Sequence, residues 1–201
     1  MFVKLCGLRT EADVAVAVEV GADAVGFVFS SSPRQVDLAT ATRLVADVPD
    51  GVRSVGVFRK TPVDEVARLA TASGVGAVQL HGDYPKEAFE ALAHLGVPLI
   101  RAFAPTPDSD LRVGAFGEEL LLLDSPVAGS GERWDAAALR DRVDGRWLLA
   151  GGLGVDNVAA AVAEARPWGV DVSSGIESER GVKDHGLMRA FTSAARAAQT
   201  G

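Results

Sequence analysis

Eight short apolar runs punctuate this chain, each followed by a stretch with helical polarity, and that alternation constrains the fold more than any other feature. The runs are Phe2–Cys6, Ala24–Phe29, Ser54–Phe58, Ala77–His81, Leu99–Phe103, Leu120–Asp124, Trp147–Ala150 and Val170–Ser173. Most are about five residues long and several are rich in Val, whose branched side chain suits a pleated strand. The intervening segments predict helices over Glu11–Val20, Leu38–Val48, Pro62–Ser73, Pro85–Leu95, Ala136–Val143, Val155–Ala165 and His185–Ala198, with a short one over Asp110–Gly117. Their ends carry ordinary punctuation: Thr10, Thr61 and Asp135 as N-caps, and Gly21, Gly74 and Gly96 as stops.

Strands that alternate with helices give an α/β protein with a parallel sheet. Two architectures compete, a closed (β/α)₈ TIM barrel and an open doubly wound sheet. The count of eight, with a helix after every strand, favours the barrel. At 201 residues the chain is shorter than the roughly 250 typical of such barrels, so its loops must be short. No composition shift divides it, and residues 1–201 are expected to form one catalytic domain.

Composition narrows the function. A net charge of −7 repels phosphate backbones and argues against nucleic acid as a partner. It leaves room for one phosphorylated small molecule, which needs only a few backbone N–H groups. Cys6 is the single cysteine, so neither an intrachain disulfide nor a cysteine cluster for metal is expected. The start MFVKLCGLRT lacks the long apolar stretch of a signal peptide. No apolar run approaches the roughly 20 residues of a membrane span. A cytoplasmic protein without a membrane partner is expected, as a monomer or a homodimer.

Strands of a parallel sheet should be apolar throughout. Several of these are not, and the exceptions sit towards their C-terminal ends: Lys4 and Cys6, Gln79 and His81, Arg101, Asp124, and Asp171 and Ser173. Residues at i and i+2 share a face, so three of these sets form same-face pairs. In a barrel that face is the interior, at the end where active sites are built. Taken singly, Cys6 reads as a small buried filler, Asp124 as a cap or loop carboxylate and His81 as a structural histidine. Together they point to an enzyme. Two glycine-bearing segments add to this: Gly151-Gly152-Leu153-Gly154 after the seventh run and Ser173-Ser174-Gly175-Ile176 after the eighth. Their backbones can approach a ligand closely, and phosphate sites in such barrels commonly lie after these two strands.

The chain resembles the phosphoribosylanthranilate isomerases of tryptophan biosynthesis. The resemblance is carried by Lys4-Leu5-Cys6-Gly7-Leu8-Arg9-Thr10, Ser32-Pro33-Arg34, Gln79-Leu80-His81-Gly82, Leu122-Leu123-Asp124-Ser125, Ala150-Gly151-Gly152-Leu153 and Asn157-Val158. It continues through Gly169–Glu177 and Gly181-Val182-Lys183-Asp184. There are departures. Where the family often has Gly-Gly-Thr-Gly and then an aromatic before Asp-Trp, this chain has Ala128–Gly131 and then Glu132-Arg133-Trp134-Asp135. Val155 and Arg180 stand where prolines are usual.

The resemblance implies an Amadori rearrangement of N-(5-phosphoribosyl)anthranilate to a 1-deoxyribulose 5-phosphate. One acid and one base suffice, with no metal, nucleotide or redox cofactor. Asp124 is implied as the general acid that protonates the ring oxygen, and Cys6 as the base that removes the C2 proton. Lys4, on the same face, would favour the thiolate. Arg34 is implied as partner of the anthranilate carboxylate, which a guanidinium fork fits. Gly151, Gly152, Ser173, Ser174 and Gly175 would take the phosphate, while Gln79, His81 and Asp171 line the site. Two alternatives stand beside this: a non-catalytic barrel that binds a sugar phosphate, and an isomerase of the related histidine-pathway aminoaldose. The latter family carries an aspartate where this chain has Cys6.

Overall fold

The computed structural model describes residues 1–124 and 137–198. Eight parallel strands close into a barrel in chain order: β1 (Phe2–Cys6), β2 (Ala24–Val28), β3 (Arg53–Phe58), β4 (Ala77–His81), β5 (Leu99–Phe103), β6 (Leu120–Leu123), β7 (Trp147–Leu149) and β8 (Gly169–Val172). Every neighbour in this order is hydrogen-bonded, and β8 returns to pair with β1, so the open-sheet alternative is excluded. The helices are α1 (Glu11–Glu19), α2 (Leu38–Ala46), α3 (Val63–Ser73), α4 (Lys86–Leu92), α5 (Ala137–Arg140), α6 (Val158–Ala165) and α7 (His185–Ala197). No helix among the described residues is long and apolar enough to cross a membrane.

Strand alternation divides the core in two. Cys6, Ala24, Val55, Val57, Ala77, Ile100, Ala102, Leu120, Leu122, Leu148 and Ala150 pack inside the barrel. The residues between them, such as Val3, Leu5, Val25, Val78, Leu121, Leu149 and Val170, face the helices. Both faces of every strand are therefore covered, which is why the strands read as continuous apolar runs.

Several local expectations need correction. Asp110–Gly117 forms turns rather than a helix. Gly114 and Gly117 hold positive φ values of 89° and 87° there, a conformation that breaks a right-handed helix. Thr61 does not cap α3. Pro62 occupies that position, and the Thr61 hydroxyl lies 3.3 Å from that of Ser30 instead. The helix expected over Pro85–Leu95 is shorter, running as α4 and then a 3₁₀ turn over Ala93–Leu95. Thr10 does cap α1, in a reciprocal box with Asp13. A two-stranded hairpin, β9 (Glu177–Glu179) and β10 (Val182–Lys183), follows β8 and was not expected. The Ser125, Ala128–Gly131 and Glu132–Asp135 positions, the expected cap at Asp135 and Ala136 lie outside the described residues.

The seam between β1 and β8 carries the one fully buried lysine ammonium pair in the described barrel interior. Lys4 and Asp171 face each other in register, with Nζ 2.7 Å from Oδ1 and the Lys4 side chain at 0% exposure. Burial acts against the ammonium, but Asp171 and then Cys6 outweigh it, and the Lys4 pKa stands above the ordinary lysine value. Removing one partner of such a pair leaves a buried charge uncompensated. Lys4→Met should therefore cost roughly 3 kcal/mol, the lower end of the range for a broken buried pair because Asp171 borders a cavity. Urea unfolding at pH 7 checks this, and an unchanged midpoint would contradict it.

Candidate active site

The C-terminal ends of the strands surround a cavity of about 370 Å³. Of the residues singled out in the sequence, Cys6, Arg34, Gln79, His81, Asp124, Gly151, Gly152, Asp171, Ser173 and Ser174 all line it. Ser30, Ser31, Ser32 and Arg59, from the loops after β2 and β3, complete its rim. The alternation of the strands explains the gathering. Cys6, His81 and Asp124 each lie at or just past a strand end, on the inward face.

Cys6 is 6% exposed. It lies opposite Gly26 of β2, and a Cβ on that glycine would stand 2.8 Å from Sγ. Gly26 thus vacates the space the sulfur occupies, and glycine inside a strand is a mark of such close approach. Burial pushes the Cys6 thiol up. Lys4 and Lys183 pull it back while Asp171 adds to the rise, and burial prevails, so the Lys4 influence expected from the sequence does not yield a thiolate at rest.

Just past β6, the Asp124 carboxylate Oδ2 lies 3.8 Å from His81 Nε2. Its backbone N–H donates to the Phe103 carbonyl at 2.9 Å, which fixes the residue at the end of β6. Burial, followed by the charge of Arg59, lowers the His81 pKa, so the imidazole is neutral near pH 7.

Arg34 reaches the cavity with one edge of its fork already engaged. Nε and Nη2 donate to the two Glu177 carboxylate oxygens at 2.6 and 2.8 Å. Glu177 also accepts from Lys183 Nζ at 2.8 Å and from the Gly181 N–H at 3.1 Å. Burial resists its ionisation, yet these bonds win and hold the carboxyl down at about 2. Glu177 and Lys183 lay within the sequence segments singled out, but neither was read as part of the site. The signal available was a short run of mixed-sign charge, Glu177, Glu179, Arg180 and Lys183, around Gly181.

The two glycine-bearing segments meet at the rim. Asn157 ties the first, donating to the Gly152 carbonyl and accepting from the Gly154 N–H, both at 2.9 Å. Gly175 is not on the cavity wall. It sits where the two segments touch, and a Cβ there would stand 1.9 Å from the Leu153 carbonyl oxygen. Arg101 also departs from expectation. It points outward, pairs with Glu118 at 3.0 Å, and lies over the Phe103 and Phe116 rings at 4.8 and 4.2 Å. Among the described residues, no group of three His, Cys, Asp or Glu side chains is placed to hold a metal ion.

A family model described as N-(5'phosphoribosyl)anthranilate (PRA) isomerase matches residues 3–194. The chain is 40% identical to a curated N-(5'-phosphoribosyl)anthranilate isomerase of Symbiobacterium thermophilum, over 98% of each. The crystal structure of TrpF from Jonesia denitrificans superposes with a TM-score of 0.92 at 45% identity, covering 99% of this chain and 98% of that one. A phosphoribosyl anthranilate isomerase crystallised with reduced 1-(o-carboxyphenylamino)-1-deoxyribulose 5-phosphate superposes at 0.82 and 33% identity, covering 98% and 99%.

A thiol held above its ordinary pKa is mostly protonated near neutrality, and the thiolate is the nucleophile. Iodoacetamide should therefore modify Cys6 in the free protein more slowly than free cysteine at pH 7.5, accelerating as pH rises. Mass spectrometry over time checks this, and modification as fast as free cysteine would contradict it.

Proposed function

The chain belongs to the N-(5'-phosphoribosyl)anthranilate isomerase family and is an isomerase of tryptophan biosynthesis; we propose that it carries out the rearrangement with Cys6 as general base and Asp124 as general acid. The observation that best supports these roles is that Cys6 and Asp124 line one cavity, from the end of β1 and from just past β6.

The chemistry needs a proton delivered to the furanose ring oxygen as the ring opens to a protonated imine. Asp124 must hold that proton, and it stands with His81 Nε2 3.8 Å from its Oδ2. The base then takes the proton from C2, giving an enol-amine that tautomerises to the ketone. Cys6 must be a thiolate at that moment. The cations Lys4 and Lys183 favour the thiolate against burial, so part of its activation falls to the bound state. Each group of this kind contributes typically about 10²–10⁴-fold.

Arg34 takes the anthranilate carboxylate with the guanidinium N–H groups that Glu177 does not occupy. The Gly151–Gly152 and Ser173–Ser174 backbones take the phosphate. Gly175 serves them indirectly, since its missing Cβ lets the two phosphate segments pack together. Gln79 is 2% exposed and, with Asp171, forms the cavity floor. A biosynthetic step of this kind supports a cytoplasmic location and a single catalytic domain.

Cys6→Ala and Asp124→Asn should each lower kcat by at least about 10²-fold with the circular dichroism spectrum unchanged. A steady-state assay following loss of phosphoribosylanthranilate fluorescence measures this. Near-normal turnover in either variant would remove that residue from its role.

A further inference from the structure

Arg34 and Ser173 line the cavity, whereas Glu177 and Lys183 stand behind them. The four residues form one bonded chain. Glu177 receives Arg34 through two charged hydrogen bonds and Lys183 through a third. Lys183 Nζ in turn donates to the Ser173 carbonyl oxygen at 2.8 Å, with the Ser173 hydroxyl at 3.4 Å. The side chains behind the wall are closed off from solvent, Glu177 at 5% and Lys183 at 1% exposure, against 22% for Arg34. Bidentate pairing fixes a guanidinium in a plane as well as in position. The hairpin that supplies Glu177 and Lys183 also presses on the loop that supplies Arg34. A Cβ on Gly181 would stand 2.6 Å from the Pro33 carbonyl oxygen.

The charges do not balance within this cluster. Two cations face one carboxylate, which leaves one surplus positive charge beside the cavity. A purely structural salt bridge has no use for that surplus, while an anionic ligand neutralises it. The phosphate segment after β8 and the Arg34 side chain are thus tied to the same carboxylate, so the positions of the two anion holders are set relative to each other.

We propose that Glu177 is a positioning residue that joins, through Lys183 and Arg34, the holder of the substrate's phosphate to the holder of its aryl carboxylate, and so fixes the span of ligand the cavity accepts. This rests on the reading of Arg34 as the carboxylate partner. Glu177 touches no substrate atom. It acts by aiming Arg34 and, through Lys183, by anchoring Ser173.

Competition by two separate probes, anthranilate and inorganic phosphate, tests each end alone. Glu177→Gln removes the charge that gathers both cations, so both inhibition constants should rise by about tenfold, as expected for losing a charge-assisted bond. KM for the substrate should rise by more than kcat falls. In an Arg34→Met background, Glu177→Gln should leave anthranilate competition no weaker than Arg34→Met alone does. If Arg34→Met itself leaves anthranilate competition unchanged, the reading of Arg34 is lost and this proposal with it. If Arg34→Met weakens it and Glu177→Gln does not, only the Glu177 proposal is overturned. Should Glu177→Gln not fold, Lys183→Met carries the test, since it keeps the Arg34–Glu177 pair and cuts the tie to Ser173. Weakened phosphate competition with anthranilate competition kept supports the proposal. Equal loss at both ends, or none, overturns it.

Discussion

Closure of the barrel hangs on the pairing of β1 with β8, where Lys4 meets Asp171. The pairing converts a twisted sheet into a ring and brings Cys6 and Ser173 to adjacent positions on the rim. The ion pair sits directly beneath them. A lysine in so dry a place is tolerable only with its carboxylate in contact, so the pair specifies register as well as filling space. A slip of one residue would turn Lys4 and Cys6 outward, into the layer that packs the helices.

The electrostatics of the site follow from the same arrangement. A protein of net charge −7 sets three cations near the cavity against two carboxylates: Lys4 against Asp171, and Arg34 with Lys183 against Glu177. Local potential, rather than overall charge, decides what enters such a cleft. Cys6 is caught between opposing influences. Burial favours the thiol, and the neighbouring cations favour the thiolate. A group poised in that way responds strongly to whatever charge a ligand brings into the same small volume.

Much of this was legible in the residues, and the failures have physical causes. All eight strands were legible because each is apolar on both faces and bounded by turn residues. Inward and outward positions were less so. Arg101 looks like a site residue in the sequence because a strand covered on both sides offers no polar face to set the phase. Only the structure, by placing Ile100 and Ala102 inside, shows that Arg101 faces the helices. Asp110–Gly117 carries enough apolar residues to suggest a helix, but two positive-φ glycines decide otherwise. Cys6 and Asp124 were visible as polar residues ending apolar runs. Glu177 was not, because its importance lies in a contact with Arg34, 143 positions earlier in the chain. Gly175 drew notice as a flexible residue near a phosphate, whereas its structural part is to let two segments touch.

The seam also has a consequence in time. Lys4 and Asp171 are 167 residues apart in the chain, so the contact that closes the ring joins two segments of very long sequence separation. Contacts of such long range make folding slow, and partly formed parallel sheets expose apolar edges while they wait. On the ribosome, β1 is synthesised well before β8, the strand it pairs with. The hairpin bearing Glu177 and Lys183 emerges later still. A chain stalled after β7 would carry Lys4 and Cys6 without the strand that supplies Asp171.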